Sequence, residues 1–320
     1  MSARALAAER VGGGTARAAD VPEADGAATA CGGAPDPGGT LPGRWARLAA
    51  LARLELGEVL RSRWLLFCGG LYAALAALFI LVGLRESGVM GFTGMSRVLL
   101  SLSHALVVLL PLLALTGTGQ VVSRARRDGT LELLFSQPVT RADYFGALTL
   151  VRYGALFVPL LVLMPALAVV GSVVFGQAVP WAFLARALVV SAALLWAFTG
   201  IGLAISTQVS EPDRAMMYLL LAWVLGVALL DFGLVGLMLQ WKLPAAAVFA
   251  LAGLNPVETA RLALLSGAEP SLGTLGPVGF WMSGSLGSTW LFIAGVLWPL
   301  LVGSAGWWMG RRRLSRGDLV

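Results

Sequence analysis

The sequence predicts an all-α, polytopic membrane protein with six transmembrane helices, and three observations carry that prediction. Only 12% of the 320 residues are charged and 58% are hydrophobic, with a mean hydropathy of +0.82, a balance foreign to soluble domains of this length. Six apolar stretches, 64–84, 98–118, 153–175, 181–206, 215–239 and 290–309, are long enough to cross a hydrocarbon core about 30 Å thick, which takes roughly 20 helical residues. Their apolar residues run continuously instead of alternating, which excludes a barrel; lipid-facing backbone must then close its hydrogen bonds inside helices.

The formal charge of +6 reports topology. Arg44, Arg47, Arg53, Arg61 and Arg63 precede the first span, Arg124, Arg126, Arg127, Arg141 and Arg152 lie around the link to the third, Arg214 precedes the fifth and Arg311, Arg312, Arg313 and Arg316 follow the sixth. All fall on one side if both termini are cytosolic, leaving Arg85, Arg97, Lys242 and Arg261 outside. This bias orients a multi-pass protein of the inner membrane and favours contact with anionic lipid, not nucleic acid.

Residues 1–43 are rich in Ala, Gly and Pro without an apolar run, the composition of a disordered tail. From Trp45 the pattern becomes amphipathic over 44–63: Trp45, Leu48, Ala49, Ala52, Leu56, Val59 and Leu60 share a face, with Arg44, Arg47, Glu58 and Arg61 opposite. That predicts an interfacial helix, or else a cytosolic extension of the first span. The six-span body then runs over 64–310, with a basic tail at 311–320.

The polar insert 119–148 separates spans two and three. Within it, Thr130 to Ser136 has room for about two helical turns, with Leu131, Leu134 and Phe135 at i, i+3 and i+4 forming an apolar knob. Asp128 and Thr130 are candidate cap oxygens, and Pro138 ends the run. Thr140 with Asp143 forms a second capping pair that launches a helix into span three. The insert reads as a stiff elbow presenting an exposed apolar triplet, or alternatively as a solvated connector resting on the membrane.

On the outer side, 240–289 is moderately apolar but has no seventh clean span; 243–254 has the length of a re-entrant or interfacial piece. Asn255, Pro256 and Glu258 then read as cap, first helical position and capping-box partner of a helix ending at Ser266.

Arg186 and Asp231 are charges within spans four and five at similar depth, read either as an ion pair or as part of a substrate path. His104 stands alone in span two, and Cys31 and Cys68 are too far apart in context to pair, so neither a metal site nor a disulfide framework is predicted. Met90 and Met95 are read as apolar filler in preference to Cu(I) ligands.

The segment Gly129, Thr130, Leu131, Glu132, Leu133, Leu134, followed by Ser136, Gln137, Pro138, Val139, Thr140 and Arg141, resembles the permease subunits of type-2 ABC transporters. Together with Asn255, Pro256, Val257, Glu258, Thr259, Ala260, Arg261 and Leu262, it is similar to their NosY-like branch, associated with nitrous-oxide reductase maturation. The resemblance extends over about residues 45–313. One departure is Arg124 to Asp128, where the family usually carries glutamates.

The resemblance implies a non-catalytic subunit. Two permease copies form the pathway, and ATP and Mg are held by a separate ATPase. That ATPase grips Gly129, Thr130, Leu131, Glu132, Leu134, Phe135, Pro138 and Arg141. An accessory protein outside the membrane meets Asn255, Pro256, Glu258 and Arg261. In keeping with this, the chain has no phosphate-binding Gly-x-x-x-x-Gly-Lys-Ser/Thr loop. The alternatives are a generic type-2 exporter of lipid, drug or glycan, an intramembrane lipid-modifying enzyme, and a scaffold that anchors an ATPase.

Overall fold

A computed structural model describes residues 43–87, 94–176, 178–229, 245–268, 284 and 287–316. Among them every regular element is helical: α1 (Arg44–Arg61), α2 (Arg63–Ser87), α3 (Gly94–Thr118), α4 (Val121–Arg127), α5 (Thr130–Phe135), α6 (Arg141–Phe175), α7 (Trp181–Gln208), α8 (Pro212–Trp223, continued by a π-helical turn Val224–Leu229), α9 (Ala245–Gly253), α10 (Pro256–Ala268) and α11 (Gly287–Arg316). Four helical stretches are long and apolar enough to cross a membrane: Leu99–Arg127, Arg141–Val173, Trp181–Gln208 and Gly287–Arg316. The first predicted span is the helix α2, apolar over Arg63–Leu78. The fifth is helical as far as Leu229, and its remainder lies outside the described residues, as do the predicted tail, Cys31, Met90, Asp231 and Lys242.

Helix ends follow local chemistry. The Thr140 hydroxyl accepts from the Asp143 amide at 3.1 Å, the cap read from the sequence, and α6 closes 35 residues later on Gly176, whose φ of +63° suits only glycine well. Pro159 and Pro165 sit inside α6. Pro212 opens α8 at the position where its missing N–H costs nothing.

Helix α7 is the centre of the bundle, packed by α11, α3 and α10. Lipid offers no hydrophobic gain for joining helices, so close backbone approach takes its place. Gly200, Gly303 and Gly306 provide it: a Cβ on Gly306 would fall 2.8 Å from the Gly200 carbonyl carbon, and one on Gly303 2.5 Å from the Trp196 carbonyl oxygen. These contacts leave no room for even a methyl group.

Helix α10 begins as its sequence predicts. Asn255 Oδ1 accepts from the Val257 amide at 3.0 Å, while its Nδ2 donates to the Gly226 carbonyl in the π-helical turn at 2.7 Å. The helix continues to Ala268, two residues past the expected stop. Its described residues pack within the bundle. Val257, Thr259, Ala260 and Ala263 are buried against α11, α7 and α3. Asn255 is 1% and Glu258 8% exposed, and Glu258 pairs with Arg261 at 3.0 Å. These polar groups are engaged by their own chain.

Helix α1 lies along α6. Leu51, Glu55 and Val59, at i, i+4 and i+8, are buried, whereas Trp45, Leu56 and Leu60 are exposed. Arg47, expected to face water, reaches Asp143 of α6 at 3.7 Å, and Glu58, exposed as expected, also meets Arg152 of α6 at 3.2 Å.

Candidate functional site

The elbow is built where the C-terminal ends of α3, α7 and α11 meet the start of α6. Helix α4 has no side-chain cap of its own. Ser206, near the end of α7, supplies one from across the chain, its hydroxyl accepting from the Val122 amide at 2.9 Å. Gln120 Nε2 donates to the Pro212 carbonyl at 3.1 Å and ties the same corner to α8.

The turn into α5 differs from the one read in the sequence. Gly129 is the N-cap, in the left-handed region with φ +71°, and neither Asp128 nor Thr130 donates a capping oxygen to α5. Asp128 instead sits 3.9 Å from the exposed Arg127. Because a side chain at that φ is strained, glycine sets the angle of the elbow.

The predicted apolar triplet faces inward. Leu131 is 1% exposed, in a cluster with Val122, Tyr144, Phe145, Leu148, Leu203 and Leu314, and Leu134 and Phe135 pack half-buried against it. Full burial of a leucine contributes on the order of 2 kcal/mol, so the triplet anchors the short helix to the bundle. The apolar side chain that α5 shows to its surroundings is Leu133, 73% exposed. Thr130, Glu132, Ser136, Gln137 and Pro138 are exposed around it. The i, i+3, i+4 spacing had singled out the anchoring face and passed over the presenting one.

Phe135 meets Tyr144 edge-on at 5.9 Å, and the Arg141 guanidinium lies over the Phe135 ring at 5.8 Å while its Nη1 donates to the Leu314 carbonyl at 3.0 Å. Trp307 of α11 packs on Phe145 and donates through Nε1 to the Thr149 hydroxyl at 3.0 Å.

Beneath the elbow lies a cleft of about 790 Å³, walled by α1, the elbow and the feet of α3 and α6. Glu55, Glu58 and Arg152 line it. Arg152 Nη2 sits 3.7 Å from Glu55 and 3.2 Å from Glu58. Burial raises the Glu55 carboxyl above its ordinary range; Arg152 opposes that shift and Glu58 adds to it.

At the opposite end, Arg186 lies over the Phe292 ring of α11 at 5.1 Å and borders Gly267. The predicted partner Asp231 is outside the described residues, and the pair is not placed. His104 is half-buried, its Nδ1 3.0 Å from the Leu100 carbonyl of its own helix. Among the described residues, no three His, Cys, Asp or Glu side chains gather as a metal site would need.

The geometry is that of an apolar helical bundle with an elbow near the arginine-rich end of α11, and the family it comes from is decided by its sequence. The model of the ABC-2 family transporter proteins matches residues 49–307. The chain belongs to that family. Two relatives, each called probable ABC transporter permease protein NosY, are similar to it. That of Stutzerimonas stutzeri is 33% identical over 269 residues, spanning 81% of this chain and 92% of its own length. That of Pseudomonas aeruginosa is 28% identical over 265 residues, spanning 78% and 92%. Within this ABC-2 permease the whole elbow falls inside the matched region, whereas Leu314, which packs on it, lies beyond.

Proposed function

We propose that this ABC-2 permease works as a pair of six-span subunits, and that a separate ATP-hydrolysing subunit grips its elbow from the cytosol. The excess of arginines at the elbow end supports that orientation in the inner membrane, with both termini inside. The observation that carries the reading is Leu133, a large apolar side chain 73% exposed on a helix whose other apolar residues are spent on anchoring it. An exposed leucine on a stiff, polar-rimmed support fits a partner's apolar pocket.

ATP and Mg belong to that partner in this scheme. Closure of two ATPase subunits pushes the paired elbows. Because α5 is packed on the foot of α6 through Leu131, Phe135 and Tyr144, the push becomes a rigid-body tilt of α6. The names of the two relatives and the paired motifs at Gly129 and Asn255 support a narrower role, in copper-site maturation of nitrous-oxide reductase with an accessory protein outside the membrane.

The docking half is tested with Leu133→Asp. The variant is expected to match the wild type in monodispersity and thermal midpoint, yet to lose the ATPase that co-purifies from native membranes. Undiminished co-purification refutes the docking assignment.

A further inference from the structure

We infer that the C-terminal turn of α11 is part of the elbow, and that Arg141 and Leu314 are positioning residues that give an elbow displacement a second output, into α11 and through it α7. The inference rests on the preceding reading only for what pushes the elbow. The linkage itself is a property of this chain.

The last carbonyls of any helix lack partners inside it, and the negative end of the helix dipole favours a cation there. Arg141 meets both needs for α11: its guanidinium donates to the Leu314 carbonyl at 3.0 Å. The same guanidinium lies over the Phe135 ring of α5 at 5.8 Å. Since Arg141 is also the first residue of α6, one side chain joins the neighbouring helices α5 and α6 to the end of α11, 173 positions away. A planar group with several fixed donors suits that task, and a lysine ammonium does not.

Leu314 closes the joint from the other side. It is one apolar residue in the run Arg311, Arg312, Arg313, Leu314, Ser315, Arg316. A basic tail serving only to touch anionic lipid would leave it outside. It is 2% exposed, in the apolar cluster of Leu131 and Phe145, while its arginine neighbours and Ser315 are exposed. Helix α11 continues without a break through Arg316, so this turn is stiffly joined to the rest of α11. Further along, Gly310 sits against Phe145 and Trp307 against Phe145 and Thr149. Gly306 and Gly303 then bring α11 into backbone contact with α7. From Leu314 to Gly303 is about 16 Å at the α-helical rise, and packed contacts of this kind run the whole distance. Coupling between sites is carried by such rigid, packed elements.

The experiment is hydrogen–deuterium exchange on the purified full-length protein in lipid nanodiscs, without any ATPase. Leu314→Asp, and a chain ending at Gly310, are expected to speed exchange of the α5 amides about tenfold or more, because local opening free energies set these rates. Exchange in the middle of α7 should stay at wild-type values, showing that the bundle is folded. Arg141→Lys keeps the charge and is expected to speed exchange over 312–316 by a similar factor. If the Leu314 changes cost the fold, that variant carries the test alone. Wild-type exchange in α5 for folded Leu314→Asp, or wild-type exchange over 312–316 for Arg141→Lys, overturns the inference and makes the tail a lipid anchor. Since no ATPase takes part, this outcome is independent of the Leu133→Asp result.

Discussion

Removing Arg152 should damage this protein far more than removing the carboxylate it faces. The side chains of Arg152 and Glu55 are 9% and 6% exposed, whereas that of Glu58 is 65% exposed. Breaking a buried pair by deleting one member strands a charge and costs about 3–5 kcal/mol, while an exposed carboxylate adds roughly 0–1 kcal/mol. Arg152→Met therefore leaves Glu55 as the expensive group.

The pH dependence has a definite sign. Burial holds the Glu55 carboxyl above its ordinary value of 4.5 in the folded state, so the folded protein keeps that proton longer than the unfolded chain does. Stability contributed by this group falls as pH rises from the ordinary value through the raised one. Arg152 pulls the raised value back, and without it the window extends further toward neutral pH. The thermal midpoint of Arg152→Met should accordingly drop sharply at about pH 7.5 and recover much of the loss at about pH 5. Adding Glu55→Gln should rescue it at neutral pH, a non-additivity that a double-mutant cycle reads directly. An equal deficit at both pH values, with no rescue, would refute the electrostatic account and assign the arginine to packing.

Two further outcomes follow from the packing of the bundle. Gly303→Val places a branched side chain where a Cβ would already stand 2.5 Å from the Trp196 carbonyl oxygen; overpacking of this kind costs about 1–3 kcal/mol, read as a fall of several degrees in thermal midpoint. Asn255→Ala loses a helix cap worth about 0.5–2 kcal/mol together with the donor to the Gly226 carbonyl, whereas Asn255→Asp keeps a cap oxygen but buries a carboxylate against that carbonyl at a position 1% exposed, so thermal denaturation at neutral pH should rank them wild type, Ala, Asp.

Much of this was legible in the sequence because the signals were local. Long apolar runs stand out in any window, and the Thr140–Asp143 and Asn255–Pro256 starts are spelled by adjacent residues. The elbow motif was readable as a motif. Which way its helix faces was not, since over six residues the spacing of Leu131, Leu134 and Phe135 marks a face without saying whether protein or water meets it. The same limit applies to α1, where Arg47 was set on a watery face and found a partner on α6. Helix α10 was legible at its start, but its burial was not, because its length and mixed polarity resemble a surface helix; a glycine of α11, Gly295, makes part of the space it fills. The bond from Ser206 to Val122 bridges 84 positions and had no signal to find. Leu314 did have one, as an isolated leucine among arginines.

The 35 residues of α6 amount to about 52 Å of helix, against about 30 Å of hydrocarbon. Some 20 Å is therefore more than a perpendicular crossing takes, left for tilt or for the turns that carry Asp143 and Arg152, the residues that hold α1. An amphipathic rod with Trp45, Leu56 and Leu60 turned outward is thus moored to the first third of the longest helix among the described residues. In the proposed mechanism a tilt of α6 carries that rod with it, so the load on α6 includes whatever meets the rod's outward face.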